Sequence, residues 1–429
     1  MRSAMHSPDA PSPHAEDRFP MGEVEFVAMM ASVQALMAIS IDVMLPALGI
    51  ISDDLGVRDP NQRQLVIGVF LICSGLGSLF PGAIADRFGR RPVLLTAITA
   101  YVLLSIVCAI SGSFTLLLIA RGIAGVFTSA MLVLPMAILR DRFEGDRMAR
   151  TQSMIAMTFM VAPMLAPMLG QTVLLFAGWR WIFGITATMG ALVFAWVWLR
   201  LPETLDPEHR QSIAPKVIAG NMVMALRERA SLGYFVGAAF VQGALFGYIN
   251  SAQQLVAEHF GAGELFPLIF GCMALVMAST NFVNSRIVER FGARRVSHTA
   301  LITYIALAVL HLALAWSGED LWIFIPLMTL SMCMMSFIGA NFQSISLQPF
   351  LRIGGAAASI MSFVRTVGGS VLGALIGQAY DGTARPILAT MAACGATALI
   401  LVLYSERGQL FRRVNPPGFY KNMPPPTVH

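Results

Sequence analysis

Gly82-Ala-Ile-Ala-Asp86-Arg87-Phe-Gly89-Arg90-Arg91-Pro92 joins two long apolar stretches, residues 65–84 and 93–110. Each stretch is close to the ~20 residues that cross a bilayer as an α-helix. Four charges in so short a connection do not sit in hydrocarbon, so the connection lies at a membrane face and reads as a tight, glycine-punctuated turn. Outward from it, runs of similar length recur, twelve between residues 26 and 405. Of the 429 residues, 56% are hydrophobic and 12% charged, against about 25% charged in an ordinary soluble domain. The apolar residues come as continuous runs and not as amphipathic stripes, which makes this an all-α membrane protein. A β-barrel needs ~10-residue alternating segments, and none is apparent.

The runs divide six and six. Residues 1–25 form a polar N-terminal tail without the apolar core of a signal peptide. The first six-helix bundle is expected over 26–200 and a second over 231–405. The linker 201–230 between them carries Pro202, Pro207 and Pro215, and the tail 406–429 carries Pro416, Pro417 and Pro424. Asn284-Ser-Arg286-Ile-Val-Glu289-Arg290-Phe-Gly292-Ala-Arg294-Arg295 follows the eighth run as the opening stretch follows the second, a weak internal echo. The net charge of +5 does not imply a nucleic-acid partner. Most basic residues fall in the even-numbered connections and the tails, which by the positive-inside rule places those connections and both termini in the cytoplasm.

Several chemistries are excluded. Only two lysines occur, Lys216 and Lys421, and neither sits in a phosphate-binding G-x-x-x-x-G-K-[ST] loop. No H-E-x-x-H, G-x-S-x-G or C-x-x-C is present. Cys73, Cys108, Cys272, Cys333 and Cys394 all fall inside apolar runs, without metal-type spacing. Neither enzyme chemistry nor a cofactor or metal is expected.

The charges inside the spans are few. Asp42 is the carboxylate well inside an apolar run, and an intramembrane acid there is costly to keep. Low-dielectric burial disfavours its charged form, which suits a group that loads and releases protons. Arg121 lies about as far into the fourth run as Asp42 lies from the end of the first, so the two are expected to share one cavity, as a coupled pair or a permanent ion pair. Arg365 is the basic residue of the eleventh run, and facing a cavity spares it contact with lipid. Tyr248, Asn250 and Gln253 on the seventh run and Asn341 on the tenth either line that cavity or bond between helices. His311 reads as a packed histidine. Gly369-x-x-x-Gly373-x-x-x-Gly377 reads as a stripe for close helix packing.

The opening stretch resembles the signature loop G-x-x-x-D-R-x-G-R-R between the second and third helices of major facilitator superfamily transporters. The resemblance implies twelve helices in two pseudo-symmetric halves, with Gly82, Asp86, Arg87, Gly89, Arg90 and Arg91 as a conformational gating loop. Arg121-Gly-Ile-Ala-Gly125 resembles the fourth-helix R-x-x-Q-G motif, with Ala124 where Gln is usual. Ala162-Pro163-Met-Leu-Ala166-Pro167-Met-Leu-Gly170 resembles the fifth-helix antiporter motif, with Gln171 replacing a common glycine. Together with Ile41-Asp42-Val-Met-Leu-Pro46, Leu139-Arg140-Asp141, Trp179-Arg180-Trp181 and Leu201-Pro202-Glu203-Thr204, these strings look like the Bcr/CflA subfamily of bacterial drug:proton antiporters. That resemblance implies a monomer of the inner membrane that exports small amphiphilic drugs of the bicyclomycin and chloramphenicol type by alternating access. Asp42 and Arg121 match the subfamily's charged cavity positions, where protons are exchanged. A metabolite transporter, for a sugar, an amino acid or a siderophore, is the alternative, and a non-transporting membrane sensor a remoter one.

Overall fold

A computed structural model describes residues 21–143, 145–205, 220, 223–224, 226–350 and 354–412. Most of the expected tails (1–20 and 413–429) and the body of the expected linker (206–219) lie outside them. The described chain is helical throughout, without a strand. Its helices are α1 (Glu23–Asp42), α2 (Leu48–Asp54), α3 (Leu65–Gly77), α4 (Pro81–Phe88), α5 (Arg90–Ala109), α6 (Phe114–Arg142), α7 (Gly145–Phe176) and α8 (Arg180–Arg200). After the linker come α9 (Arg229–Gln254), α10 (Phe266–Phe291), α11 (Ala293–Ser317), α12 (Leu321–Leu347), α13 (Gly354–Gln378) and α14 (Arg385–Ser405).

Among the described residues, ten helices are long and apolar enough to cross a membrane. An eleventh span arises if the bent pair Asn61–Gly77 and Pro81–Phe88, inclined at 49°, counts as one. The fifth of the twelve expected runs lies in α7, whose apolar part, Val161–Phe176, is shorter than the others. The bend in the second span follows from Pro81, which lacks the N–H that would continue the ladder.

α3, α5, α6 and α8 pack side by side, and α1 lies against α7. In the second set α9 packs between α13 and α14, and α11 against α12. Two seams join the sets, α3 against α13 and α7 against α10. The expected glycine stripe serves the packing of α13 on α9: a Cβ on Gly373 would lie 2.5 Å from the Phe246 side chain.

The internal echo extends to the backbone. Gly89 (φ 103°, ψ 152°) opens α5 and Gly292 (φ 86°, ψ 146°) opens α11. Residues with a Cβ rarely adopt that conformation. Ser113 caps α6 and Asp320 caps α12 at matching places, each accepting from a backbone N–H three residues on. The opening stretch is therefore not the expected loop. Residues up to Phe88 are helical, and Gly89 alone separates α4 from α5.

Candidate functional site

Asp42 is the last residue of α1. Pro46, four residues on, has no N–H to offer the Asp42 carbonyl, so the first span breaks there and resumes through a 3₁₀ turn, Leu45–Ala47, into α2. The break sits against the fifth-helix motif. A Cβ on Gly170 would lie 1.9 Å from the Val43 carbonyl oxygen, so glycine is what admits α7 to this point. Pro163 and Pro167 lie within the same helix, about two turns and one turn before it. Asp42 is 7% exposed, and among the described residues its carboxylate has neither a hydrogen bond nor an ion pair.

Arg121 does not pair with Asp42, so the permanent ion pair, one of the two expected arrangements, is not seen among the described residues. Its guanidinium donates to Ser40 Oγ (2.9 Å), the Ser40 carbonyl (3.1 Å) and the Val66 carbonyl (3.2 Å). It also stacks 4.1 Å from the Phe70 ring. A Cβ on Gly125 would lie 2.3 Å from the Phe70 carbonyl oxygen, so this glycine lets α6 approach α3 closely enough for Arg121 to reach it. The Tyr101 hydroxyl, buried beside Ser40, Ser105 and Thr186, completes the group without a well-formed hydrogen bond. Arg121 thus ties α1, α3 and α6 together, two residues from a free carboxyl.

The second half supplies neutral groups and one cation. Tyr248 is buried and donates to Met273 Sδ at 3.4 Å. Asn341, expected at the cavity, bonds Asn284 Oδ1 (2.8 Å) and the Phe337 carbonyl, joining α12 to α10. Both amide atoms of Asn250 and the Gln253 oxygen are buried without partners. Arg365, midway along α13 and partly exposed, has neither a hydrogen bond, an ion pair nor a ring partner among the described residues. His311 is fully buried, with Nε2 3.0 Å from Glu319.

The gating stretch is bound within its own half. Arg90, 3% exposed, pairs with Asp86 (2.5 Å) and Asp141 (3.0 Å). Glu203, just past α8, accepts the N–H groups of Arg90 (2.9 Å) and Arg91 (3.3 Å), and Arg91 donates to the Trp198 carbonyl (2.6 Å). Arg87 lies over the Phe88 ring. A Cβ on Gly82 would touch nothing, so in this conformation its smallness is not used.

At the far end of the bundle the halves are joined directly. Asn61 donates to the carbonyls of Gln378 (3.2 Å) and Tyr380 (2.8 Å), and Gln378 donates back to the Asn61 carbonyl (2.7 Å). Gln64 bonds Gln254 and lies 3.4 Å from Ser251, and Arg63 pairs with Glu258. Among the described residues, every hydrogen bond between the halves belongs to this cluster. The two helix sets carry an internal echo and, among the described residues, are hydrogen-bonded to each other at one end of the bundle. A family model described as Major Facilitator Superfamily matches residues 30–374.

The chain belongs to that superfamily.

It is thus a multi-pass membrane transporter with a small-molecule substrate, in a family of transporters and not of enzymes. Among its relatives, the bicyclomycin resistance protein homolog of Haemophilus influenzae is 30% identical over 381 residues, covering 86% of this chain and 93% of that one. YdgK of Bacillus subtilis, an uncharacterized MFS-type transporter, is 30% identical over 85% of this chain and 90% of its own. The multidrug resistance protein MdtL of Klebsiella pneumoniae is 27% identical over 85% and 91%. The solved structure of a bacterial homolog of the human lysosomal transporter Spinster, inward-facing and unoccupied, superposes with a TM-score of 0.70 at 17% identity, covering 90% of this chain and 96% of that one. The human organic anion transporter MFSD10 gives 0.59 at 18% identity, covering 89% and 100%.

Sequence reasoning did not assign Ser40, Tyr101 or the Asn61–Gln64 cluster. The last had a signal: four consecutive polar side chains, Asn61-Gln62-Arg63-Gln64, directly before an apolar run.

Proposed function

We propose that this chain is a proton-coupled exporter of small amphiphilic drugs across the bacterial inner membrane. The observation that carries it is Asp42, a carboxyl buried at the break of the first span with no cation beside it. Such a group exchanges a proton without dismantling an ion pair. Resistance-type names among the relatives support the substrate class, and the Ala-Pro repeat packed against Val43 supports a mechanism that runs through this break.

In this reading the units 26–200 and 231–405 are the two moving bundles and 201–230 the cytoplasmic linker. With the Arg90 end and both termini in the cytoplasm, the Asn61–Gln378 latch closes the outer face and the cavity opens inward. Substrate from the cytoplasm and a proton from outside then use Asp42 in turn, while Arg121 fixes the helix that carries it. Tyr248, Asn250, Gln253 and Arg365 form the opposing wall, and one chain completes the device. Proteoliposomes with an imposed pH gradient test this: a drug of the chloramphenicol type should move against its own gradient only while protons flow the other way. Uptake of drug without proton movement would overturn the coupling.

Arg365 favours a second reading. An unpaired guanidinium in mid-span suits an anionic metabolite, whose transport in the same vesicles would depend on Arg365 and not on Asp42.

A further inference from the structure

On the outer surface of the second half, α11 borders a cleft of about 390 Å³. Phe291 of α10, Thr303 of α11, and Met334 and Phe337 of α12 form its walls. α11 exposes Ile302 and Leu310 on this side, so in a membrane the surface meets hydrocarbon. The mouth is different in kind. Phe411, past the end of α14, is held there by its N–H on His298 Nδ1 (3.1 Å) and by its carbonyl on Arg295 Nε (3.0 Å). That bond occupies one face of the Arg295 guanidinium. Among the described residues its two Nη groups have no partner, and Arg295 is exposed at the cleft.

Charge around the mouth is one-sided. The segment 286–295 holds four arginines and one glutamate, and Arg294 pairs with Glu406 (2.7 Å). α11 begins at the same place, after Gly292, and among the described residues no side chain caps its free N–H groups. An apolar slot running into the hydrocarbon, opening onto an unfilled guanidinium fork and an uncapped helix start, has the shape and polarity of a diacyl lipid with a negative headgroup.

We propose that this cleft binds an anionic phospholipid, one acyl chain lying along α11 and the phosphate on the Nη groups of Arg295. The site lies outside the transport path and does not depend on what the protein carries.

The test uses the full chain, stripped of lipid in neutral detergent and offered equal amounts of phosphatidylglycerol and phosphatidylcholine with identical acyl chains. Native mass spectrometry should find one retained phosphatidylglycerol per chain, favoured about fivefold or more over phosphatidylcholine. Arg295→Gln should lose that preference while still retaining either lipid weakly. Thr303→Phe should fill the slot and retain neither. Arg385→Gln, at the opposite end, should behave as the parent. Equal retention of the two headgroups by the parent, which needs no variant to fold, would overturn the proposal. So would an unchanged preference in Arg295→Gln, or a dimer that forms as the lipid leaves.

Discussion

Asp42 and Arg121 were legible as costly charges inside apolar runs, yet their relationship was not. Counting residues from a span's end gives depth but no rotation about the helix axis. Arg121 binds Ser40, and positions two apart on a helix point about 200° away from each other. The guanidinium is therefore engaged on the side of α1 away from the Asp42 carboxyl. This separates the consequences of two substitutions. Asp42→Asn keeps size and lowers the cost of inserting the span, so expression should hold while proton-driven export in the vesicle assay is lost. Full drug resistance from a well-expressed Asp42→Asn variant would remove Asp42 from the coupling role. Arg121→Lys keeps the charge, but an ammonium does not reproduce three bonds to Ser40 and Val66 together with the face-on contact to Phe70. It should lower both thermal stability and export, whereas a purely electrostatic role would leave the Lys variant close to the parent.

At the scale of elements, small residues and prolines decide which helices touch. The Ala-Pro repeat was readable as a packing motif, but its target was not, because nothing in the string names the chain segment opposite. The structure puts Gly170 on the Val43 carbonyl, so one motif supports the break that holds the other. Gly170→Ala should force α7 off α1 and cost about 1–3 kcal/mol of stability, read as a lowered unfolding temperature in detergent. Gly170→Ala with unchanged melting would show that the approach relaxes freely. The signature stretch was legible in its charges and its membrane-face position. Its helical form was not, since a single glycine at φ 103° does the work assigned to a whole loop. The partners Asp141 and Glu203 stand 51 and 113 residues away from Arg90, beyond any local pattern.

For the whole molecule, the helical, many-span class followed from run lengths, whereas the state of the carrier did not, because both states share one sequence. Contacts decide it, and they are one-sided: Arg90 is satisfied within its half, while Asn61, Arg63 and Gln64 reach across. Arg90→Ala should therefore slow turnover far more than it weakens drug binding, and a large affinity loss with normal cycling would contradict that placement. Glu258→Gln should loosen the latch by roughly 1 kcal/mol, about fivefold in the balance of states, since Glu258 is half exposed and its worth is reduced accordingly. Spin labels at Asp59→Cys and Asp381→Cys, in a background with the exposed Cys272 replaced, should report a larger population of long distances. An unaltered distribution would exclude the pair from the latch. In the proposed orientation that seam faces the outside of the cell, which bears on how such a pump is stopped. An inhibitor shaped like the cargo enters where the cargo enters and is expelled with it. A molecule that adds hydrogen bonds across Asn61 and Gln378 from outside would act as a splint, arresting the halves without ever becoming a passenger.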